Sequence, residues 1–202
     1  MINSKFDILI SGVGGQGTVL ASRLIAAAAI KQGSFARTSE TIGMSQRGGC
    51  VVSYVRINSE KSSSIIPFEN ANMIIAFELA EAARSLTRLS KDGCCIINTQ
   101  IIKPVTASLG TSQYDVEEII KYIKNNAKEV YFIDGYSIAK EAGTVKAVNV
   151  VLLGAATAVG KMPFSREVML QSIVENVPQK FRELNEKAFE MGYEYILRGV
   201  PQ

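Results

Sequence analysis

The sequence predicts an α/β fold: a mostly parallel sheet flanked by helices, with a helical C-terminal segment. Three observations carry this reading. Short apolar runs of strand length alternate with segments of helical period along most of the chain. The first run, "FDILIS" at 6–11, leads directly into the glycine cluster "GVGGQG", which opens a helix. From Asn149 onward the apolar spacing is helical throughout.

Each element has its own warrant. "FDILIS" is a buried strand. Residues 15–31 read as a helix with Leu20, Leu24, Ala27 and Ala28 at helical spacing; its alanine run suits close packing on the sheet, and Gly33 ends it. "SFARTSE" at 34–40 is a second strand, "TIGMSQRGG" at 41–49 a loop, and the β-branched "CVVSYVRI" at 50–57 a third strand. "NMIIAF" at 72–77 is a fourth strand and "LAEAARSLTRLS" at 79–90 a helix. Gly93 then turns the chain into a fifth strand, "CCIINT" at 94–99. Asp115 and Glu118 form a capping-box start for a helix with Val116, Ile119, Ile120 and Ile123 on one face. "EVYFID" at 129–134 is a sixth strand, and "SIAKEAG" a short helix ended by Gly143.

The rest is helical. "NVVLLGAATAVGKM" is so apolar that it must be buried. Ser165 caps a helix whose apolar face is Met169, Leu170, Ile173, Val174 and Val177. Pro178 starts another, with Phe181, Leu184, Ala188, Met191 and Tyr195 spaced 3, 4, 3, 4. This C-terminal part either covers one face of the sheet or reaches a partner. The strand–glycine-turn–helix start makes the whole Rossmann-like. At 202 residues, 47% hydrophobic and 20% charged, the chain suits a single domain over 1–202, with 149–202 its helical C-terminal part.

Composition removes several kinds of chemistry. The net charge of +3 comes without a Lys/Arg block, so nucleic acid is not expected. "LIAAAAI" and "VVLLGAATAVG" fall short of the ~20 residues that cross a bilayer, and the N-terminus runs straight into a strand; no membrane contact and a cytoplasmic location are expected. There is no histidine, which removes the commonest general base and Ser-His and Cys-His pairs. Three cysteines, Cys50, Cys94 and Cys95, cannot build a four-cysteine iron–sulfur cluster. No Gly-Asp-Gly element of the kind that anchors the metal of thiamine diphosphate is present. Redox chemistry would need another subunit to carry the electrons.

Two stretches carry the candidate site. In the first, Gly12, Gly14 and Gly17 match G-x-G-x-x-G. Such glycines allow a tight turn and close approach, and the helix start offers N–H groups to an anion. A dinucleotide site also expects an acidic residue after the second strand, where Glu40 stands. The same glycines would equally let the first helix pack closely on the sheet. Gln16 is better suited to hydrogen bonding a neighbouring loop or carbonyl than to bare pyrophosphate. In the second stretch, Ser45, Gln46 and Arg47 precede Gly48 and Gly49. The glycines allow successive N–H groups to form a nest, and Arg47 suits a phosphate or carboxylate; a surface arginine beside a turn is the alternative. Cys94 and Cys95 alternate across a buried strand and read as inert thiols. Cys50, beside Arg47, is either inert or lowered in pKa.

Together, "GVGGQGTVLASRL", "TSETIGMSQRGGCVVSYVRI", "NVVLLGAATAVGKMPFS" and "VPQKFRELNEKAFEMGY" resemble, in order and over nearly the whole chain, the gamma-type domain of the 2-oxoacid:ferredoxin oxidoreductases, in the form found as the beta subunit of the indolepyruvate enzyme. The resemblance implies a subunit of an enzyme that oxidatively decarboxylates an arylpyruvate, with coenzyme A taking the acyl group and ferredoxin the electrons. It implies no cofactor on this chain; thiamine diphosphate, Mg and iron–sulfur clusters belong to the large (alpha) partner subunit. Gly14, Gly15, Gln16 and Gly17 would form one wall of a cleft and Ser45, Gln46, Arg47, Gly48 and Gly49 the other. That cleft faces coenzyme A or the substrate, or else meets the large subunit. A stand-alone dinucleotide-binding oxidoreductase, or a sister enzyme for pyruvate, 2-oxoglutarate or ketoisovalerate, is the alternative.

Overall fold

The computed structural model describes residues 4–43, 49–102 and 114–199. In chain order the elements are β1 (Phe6–Val13), α1 (Thr18–Lys31), β2 (Ala36–Ile42), β3 (Cys50–Ile57), β4 (Ala71–Ala76), α2 (Leu79–Ser85), β5 (Leu89–Asn98), α3 (Val116–Asn126), β6 (Glu129–Ile133), α4 (Gly135–Ala142), α5 (Val148–Ala158), α6 (Arg166–Asn176) and α7 (Arg182–Leu197).

The strands form one sheet in the order β2-β3-β1-β4-β5-β6. β1, β4, β5 and β6 run parallel to one another, while β3 is antiparallel to both β1 and β2. Parallel strands are covered on both faces, which is why they read as continuous apolar runs rather than alternating ones. Ile8, Ile10, Met73, Ile75, Cys94 and Ile96 point to the face covered by α1 and α4–α7. Leu9, Ile74, Cys95 and Ile97 point to the face covered by α2 and α3. The C-terminal helices thus cover one face of the sheet.

Helix starts follow local chemistry. The Asp115 side chain accepts from the N–H groups of Glu117 and Glu118, at 2.9 and 3.1 Å, and opens α3. Asp134 caps α4 through the Ser137 N–H at 3.0 Å. Ser165 caps α6.

Three expectations are corrected. The helix read over 79–90 stops at Ser85. A 3-10 turn at Leu86–Arg88 follows, and β5 begins at Leu89, so Gly93 lies inside a strand. The β4–β5 register is irregular between Ala71 and Met73, and a Cβ on Gly93 would stand 2.8 Å from Ala71 O. Gly93 therefore serves a close strand contact, not a turn. The second strand runs on through Thr41 and Ile42, which pair with Val52 and Val51. The third correction concerns α7, whose buried residues are Ala188, Phe189, Gly192 and Ile196. Of the five residues read as its apolar face, Ala188 is among them, Leu184, Met191 and Tyr195 are partly buried against the same core, and Phe181 is exposed. α5 and α7 touch backbone to backbone: a Cβ on Gly154 would lie 2.1 Å from Phe189 O, and one on Gly192 2.1 Å from Val151 O. A helix that crosses at glycine buries its glycine face, which hydrophobic spacing does not mark.

Candidate functional site

The glycine turn follows β1 at the carboxyl end of the parallel strands, where ligands of such sheets bind. Gly17 is the N-cap of α1 in the left-handed region, at φ 87°. That conformation suits glycine, and the cap has no side-chain hydrogen bond, so the first N–H groups of α1 remain without an intrahelical partner. Gln16 folds its side chain under the turn. Its Oε1 accepts the Val13 N–H at 2.7 Å, and its Nε2 donates to Phe77 O at 3.1 Å. A Cβ on Gly12 would stand 2.8 Å from that Oε1. The amide therefore braces the turn against β4, the carbonyl bonding its side chain suits.

The second stretch reaches the first through its end. Gly14 N–H donates to Gly49 O at 2.9 Å, and Gly43 N–H to Cys50 O at 3.0 Å. Gly14, Gly15, Gln16, Gly17 and Gly49 are thereby brought together. Ser45, Gln46, Arg47 and Gly48 lie outside the described residues.

A cleft of about 430 Å³ opens beside Gly15, Gln16 and Gly17, with Gln100, Tyr136, Lys146 and Asn149 among its other walls. α5 begins there, and like α1 it has no side-chain cap and no acidic residue in its first turn. The open α1 start therefore joins Lys146, the only charged side chain in the lining among the described residues; at α5 the Ala147, Val148 and Val150 N–H groups are already partnered by Thr144 O, Val145 O and Asn149 Oδ1. Asn149 is 4% exposed. Its Oδ1 accepts the Val150 N–H at 3.0 Å, which fixes the amide. Its Nδ2 would lie 3.1 Å from a Cβ on Gly17 and donates no hydrogen bond among the described residues. With Lys146, the Asn149 amide and the open N–H groups of α1, the cleft is suited to an anionic group. Leu20, Tyr136 and Val145 give it an exposed apolar rim. Lys146, Asn149, Gln100 and Tyr136 escaped the sequence reading because they follow later elements and no glycine pattern marks them.

The dinucleotide arrangement is absent. β3 stands between β1 and β2, so Glu40 is paired with Ser53 two strands from the glycine turn, or about 10 Å in sheet spacing. Glu40 is exposed.

On the α2 side of the sheet lies a second polar cluster. Glu78 and Glu81 are 1% and 3% exposed. Glu78 accepts from the Glu81 N–H, the Ile102 N–H and the Tyr114 hydroxyl. Glu81 is paired with Arg84. Cys50 is exposed, yet desolvation of its thiol on the inner side, then its hydrogen bond to Glu81, push it up to about 12. It is not a lowered-pKa thiol. Cys94 is buried and pushed up to about 11 by desolvation, and Cys95 is raised by the same cause. The two lie on opposite faces of the sheet. Among the described residues no group of three or more His, Cys, Asp or Glu could hold a metal ion, and no helix is long and apolar enough to cross a membrane.

Comparison with known proteins sets the geometry in a family. The model of the pyruvate ferredoxin/flavodoxin oxidoreductase family matches residues 7–195. The chain is 38% identical to indolepyruvate oxidoreductase subunit IorB of Archaeoglobus fulgidus over 98% of both chains. It is 27% identical to pyruvate synthase subunit PorC of Methanocaldococcus jannaschii, over 95% of this chain and 97% of that one. Among solved structures, the gamma subunit of a keto/oxoacid ferredoxin oxidoreductase from Geobacter sulfurreducens superposes with a TM-score of 0.71 at 27% identity, covering 96% of this chain and 99% of that one. The chain, with its glycine turn at the carboxyl end of a six-stranded sheet, belongs to the pyruvate ferredoxin/flavodoxin oxidoreductase family.

Proposed function

We propose that this chain is the subunit without redox cofactors in a 2-oxoacid:ferredoxin oxidoreductase of the indolepyruvate type. The complex converts an arylpyruvate and coenzyme A into the acyl-CoA and carbon dioxide, and two electrons pass to ferredoxin. The observation that carries this reading is the likeness to an indolepyruvate oxidoreductase subunit over the full length of both chains, higher in identity than the likeness to a pyruvate synthase subunit. Thiamine diphosphate, Mg and the iron–sulfur clusters sit on the large subunit, which is the direct partner; the complex works in the cytoplasm.

The cleft beside Gly15, Gln16 and Gly17 faces coenzyme A. The uncapped start of α1, Lys146 and the Asn149 amide suit its phosphates better than a neutral ligand. Arg47 is proposed as a further cation for the same ligand on its sequence context alone. The exposed rim of Leu20, Tyr136 and Val145 favours a second reading, in which the same face is covered by the large subunit.

The test is reconstitution with the large subunit and assay of arylpyruvate- and coenzyme-A-dependent ferredoxin reduction. Arg47→Ala and Lys146→Ala are each expected to raise the KM for coenzyme A by about tenfold, the value of one charge-assisted hydrogen bond. Unchanged kinetics in an intact complex would overturn the coenzyme A reading. Weaker co-purification with unchanged KM would favour the subunit contact. The isolated chain is expected to give no heat of binding with NAD(H) or FAD in calorimetry.

A further inference from the structure

Phe77, Glu78 and the first residue of α2, Leu79, hold both walls of the cleft. Phe77 O accepts from Gln16 Nε2 on the glycine side, and from Asn98 Nδ2 at 3.0 Å on the other. Leu79 N–H donates to Gln100 O at 3.4 Å. Between them stands Glu78, whose carboxylate divides its work. Oε2 accepts the Glu81 N–H at 3.0 Å and caps α2; Oε1 accepts the Ile102 N–H at 3.3 Å and the Tyr114 hydroxyl. Gln100 and Ile102 line the cleft across from Gly15–Gly17.

A cap alone would not need this side chain. Asp, Asn or Ser serve as N-caps with shorter reach, and α2 has only seven residues to stabilise. The length of Glu78 is what carries the second oxygen to a backbone amide 24 residues further on. Its two acceptor oxygens matter as much. Two backbone N–H groups approach different oxygens of one buried carboxylate, and a backbone N–H cannot rotate away as a hydroxyl can. Glutamine offers a single acceptor oxygen, so its NH2 would face either Glu81 N–H or Ile102 N–H, donor against donor.

We propose that Glu78 is a positioning residue for the cleft: it fixes Ile102, and with it the Gln100–Ile102 wall, and so sets how tightly the cleft holds coenzyme A. The inference rests on the coenzyme A reading of the cleft.

The experiment measures KM and kcat for coenzyme A in the reconstituted complex, together with amide exchange at 99–102. Glu78→Asp keeps an acceptor near Glu81 and gives up the reach to Ile102. Glu78→Gln keeps the reach and gives up one acceptor. Both are expected to raise KM about three- to tenfold, the loss of one buried hydrogen bond, to leave kcat within about twofold, and to speed exchange at Ile102. Tyr114→Phe removes one donor but leaves the Ile102 bond, and should raise KM no more than about twofold. If Lys146→Ala raises KM while both Glu78 variants leave it unchanged, the positioning role is overturned and the cleft reading stands. If none of them moves KM, both are overturned. Unchanged exchange at Ile102 in Glu78→Asp overturns the positioning role whatever the kinetics, including where Glu78→Gln fails to fold.

Discussion

The Gly14 amide donates to the Gly49 carbonyl at 2.9 Å, one step beyond the last β1–β3 pair, Val13 and Cys50. The two glycine-bearing segments are therefore joined by an extension of the sheet itself. This follows from strand order. β3 is inserted between β1 and β2, which carries Glu40 away from the glycine turn and brings Gly49 to it. The same topological choice that removes the ribose-binding acid of a dinucleotide site supplies the second segment of this one.

Gln16 ties that turn down, and its replacement should be felt in stability. Gln16→Ala loses the bonds to Val13 N–H and Phe77 O, and the expected cost is about 1–3 kcal/mol in urea unfolding of the isolated chain. Gln16→Glu keeps the acceptor for Val13 but sets a carboxylate oxygen against the Phe77 carbonyl, and should be no better than alanine. A loss below about 0.5 kcal/mol for both would show that the amide does not brace the turn.

The crossing of α5 and α7 leaves no room for an added methyl group. Gly154→Ala and Gly192→Ala each put a methyl 2.1 Å from a backbone oxygen that no side-chain rotation can move. Each is expected to cost about 3 kcal/mol or more and to lower the thermal midpoint by roughly 6 °C or more. Gly33→Ala meets open space at φ +80° and should cost only about 1–2 kcal/mol, from backbone strain alone. Similar midpoints for all three variants would show that the helices separate without loss.

How much of this was legible depends on which signal each feature leaves. "FDILIS" and "CVVSYVRI" marked their strands because apolar and β-branched runs end at glycine or polar residues, and Asp115 and Ser165 marked their helices because capping is local chemistry. Gly93 was unreadable as a strand residue, since the contact that needs it, Ala71 O, lies 22 residues away. On α7 the apolar spacing finds Ala188 and the partly buried Leu184, Met191 and Tyr195 but not Gly192, because glycine leaves no hydrophobic mark, although it sets the crossing. Glycine patterning marks Gly14, Gly15, Gln16, Gly17 and Gly49, which the structure brings together. Lys146 and Asn149 were not legible, because a cleft at strand ends gathers residues from elements far apart in sequence. Nor did the sequence give the antiparallel insertion of β3, which decides against Glu40.

Cys50 should behave as an unreactive exposed thiol. Its ordinary value of 9.0 is raised to about 12, first by desolvation and then by Glu81. The thiolate is the nucleophile, so alkylation by iodoacetamide at pH 8 should run at least about tenfold slower than for free cysteine and accelerate only toward pH 12. Glu81→Gln should speed it. The linkage has a matching sign. The folded state holds the proton more tightly than the unfolded one, so this contribution to stability is full below about pH 9 and is lost as the pH rises toward 12. An alkylation rate equal to that of free cysteine at pH 8 would sink the assignment.

The buried pair of Asp7 and Arg56 gives the sharpest test of the sheet's far end. These residues face each other across β1 and β3, are 0% and 2% exposed, and bond through both carboxylate oxygens at 2.9 Å. Arg56 also donates to Ser63 O at 2.6 Å and Ile65 O at 3.1 Å, so the pair holds the segment after β3 against the sheet. Removing one partner strands a buried charge. Asp7→Ala is therefore expected to cost about 3–5 kcal/mol in denaturant unfolding and to speed amide exchange through 59–66. Arg56→Met combined with Asp7→Leu removes both charges and should recover a large part of that stability, while exchange at 59–66 stays fast because the two carbonyls still lack their donor. If the double variant is no more stable than Asp7→Ala, the cost lies in lost hydrogen bonding to the segment rather than in an unpaired charge.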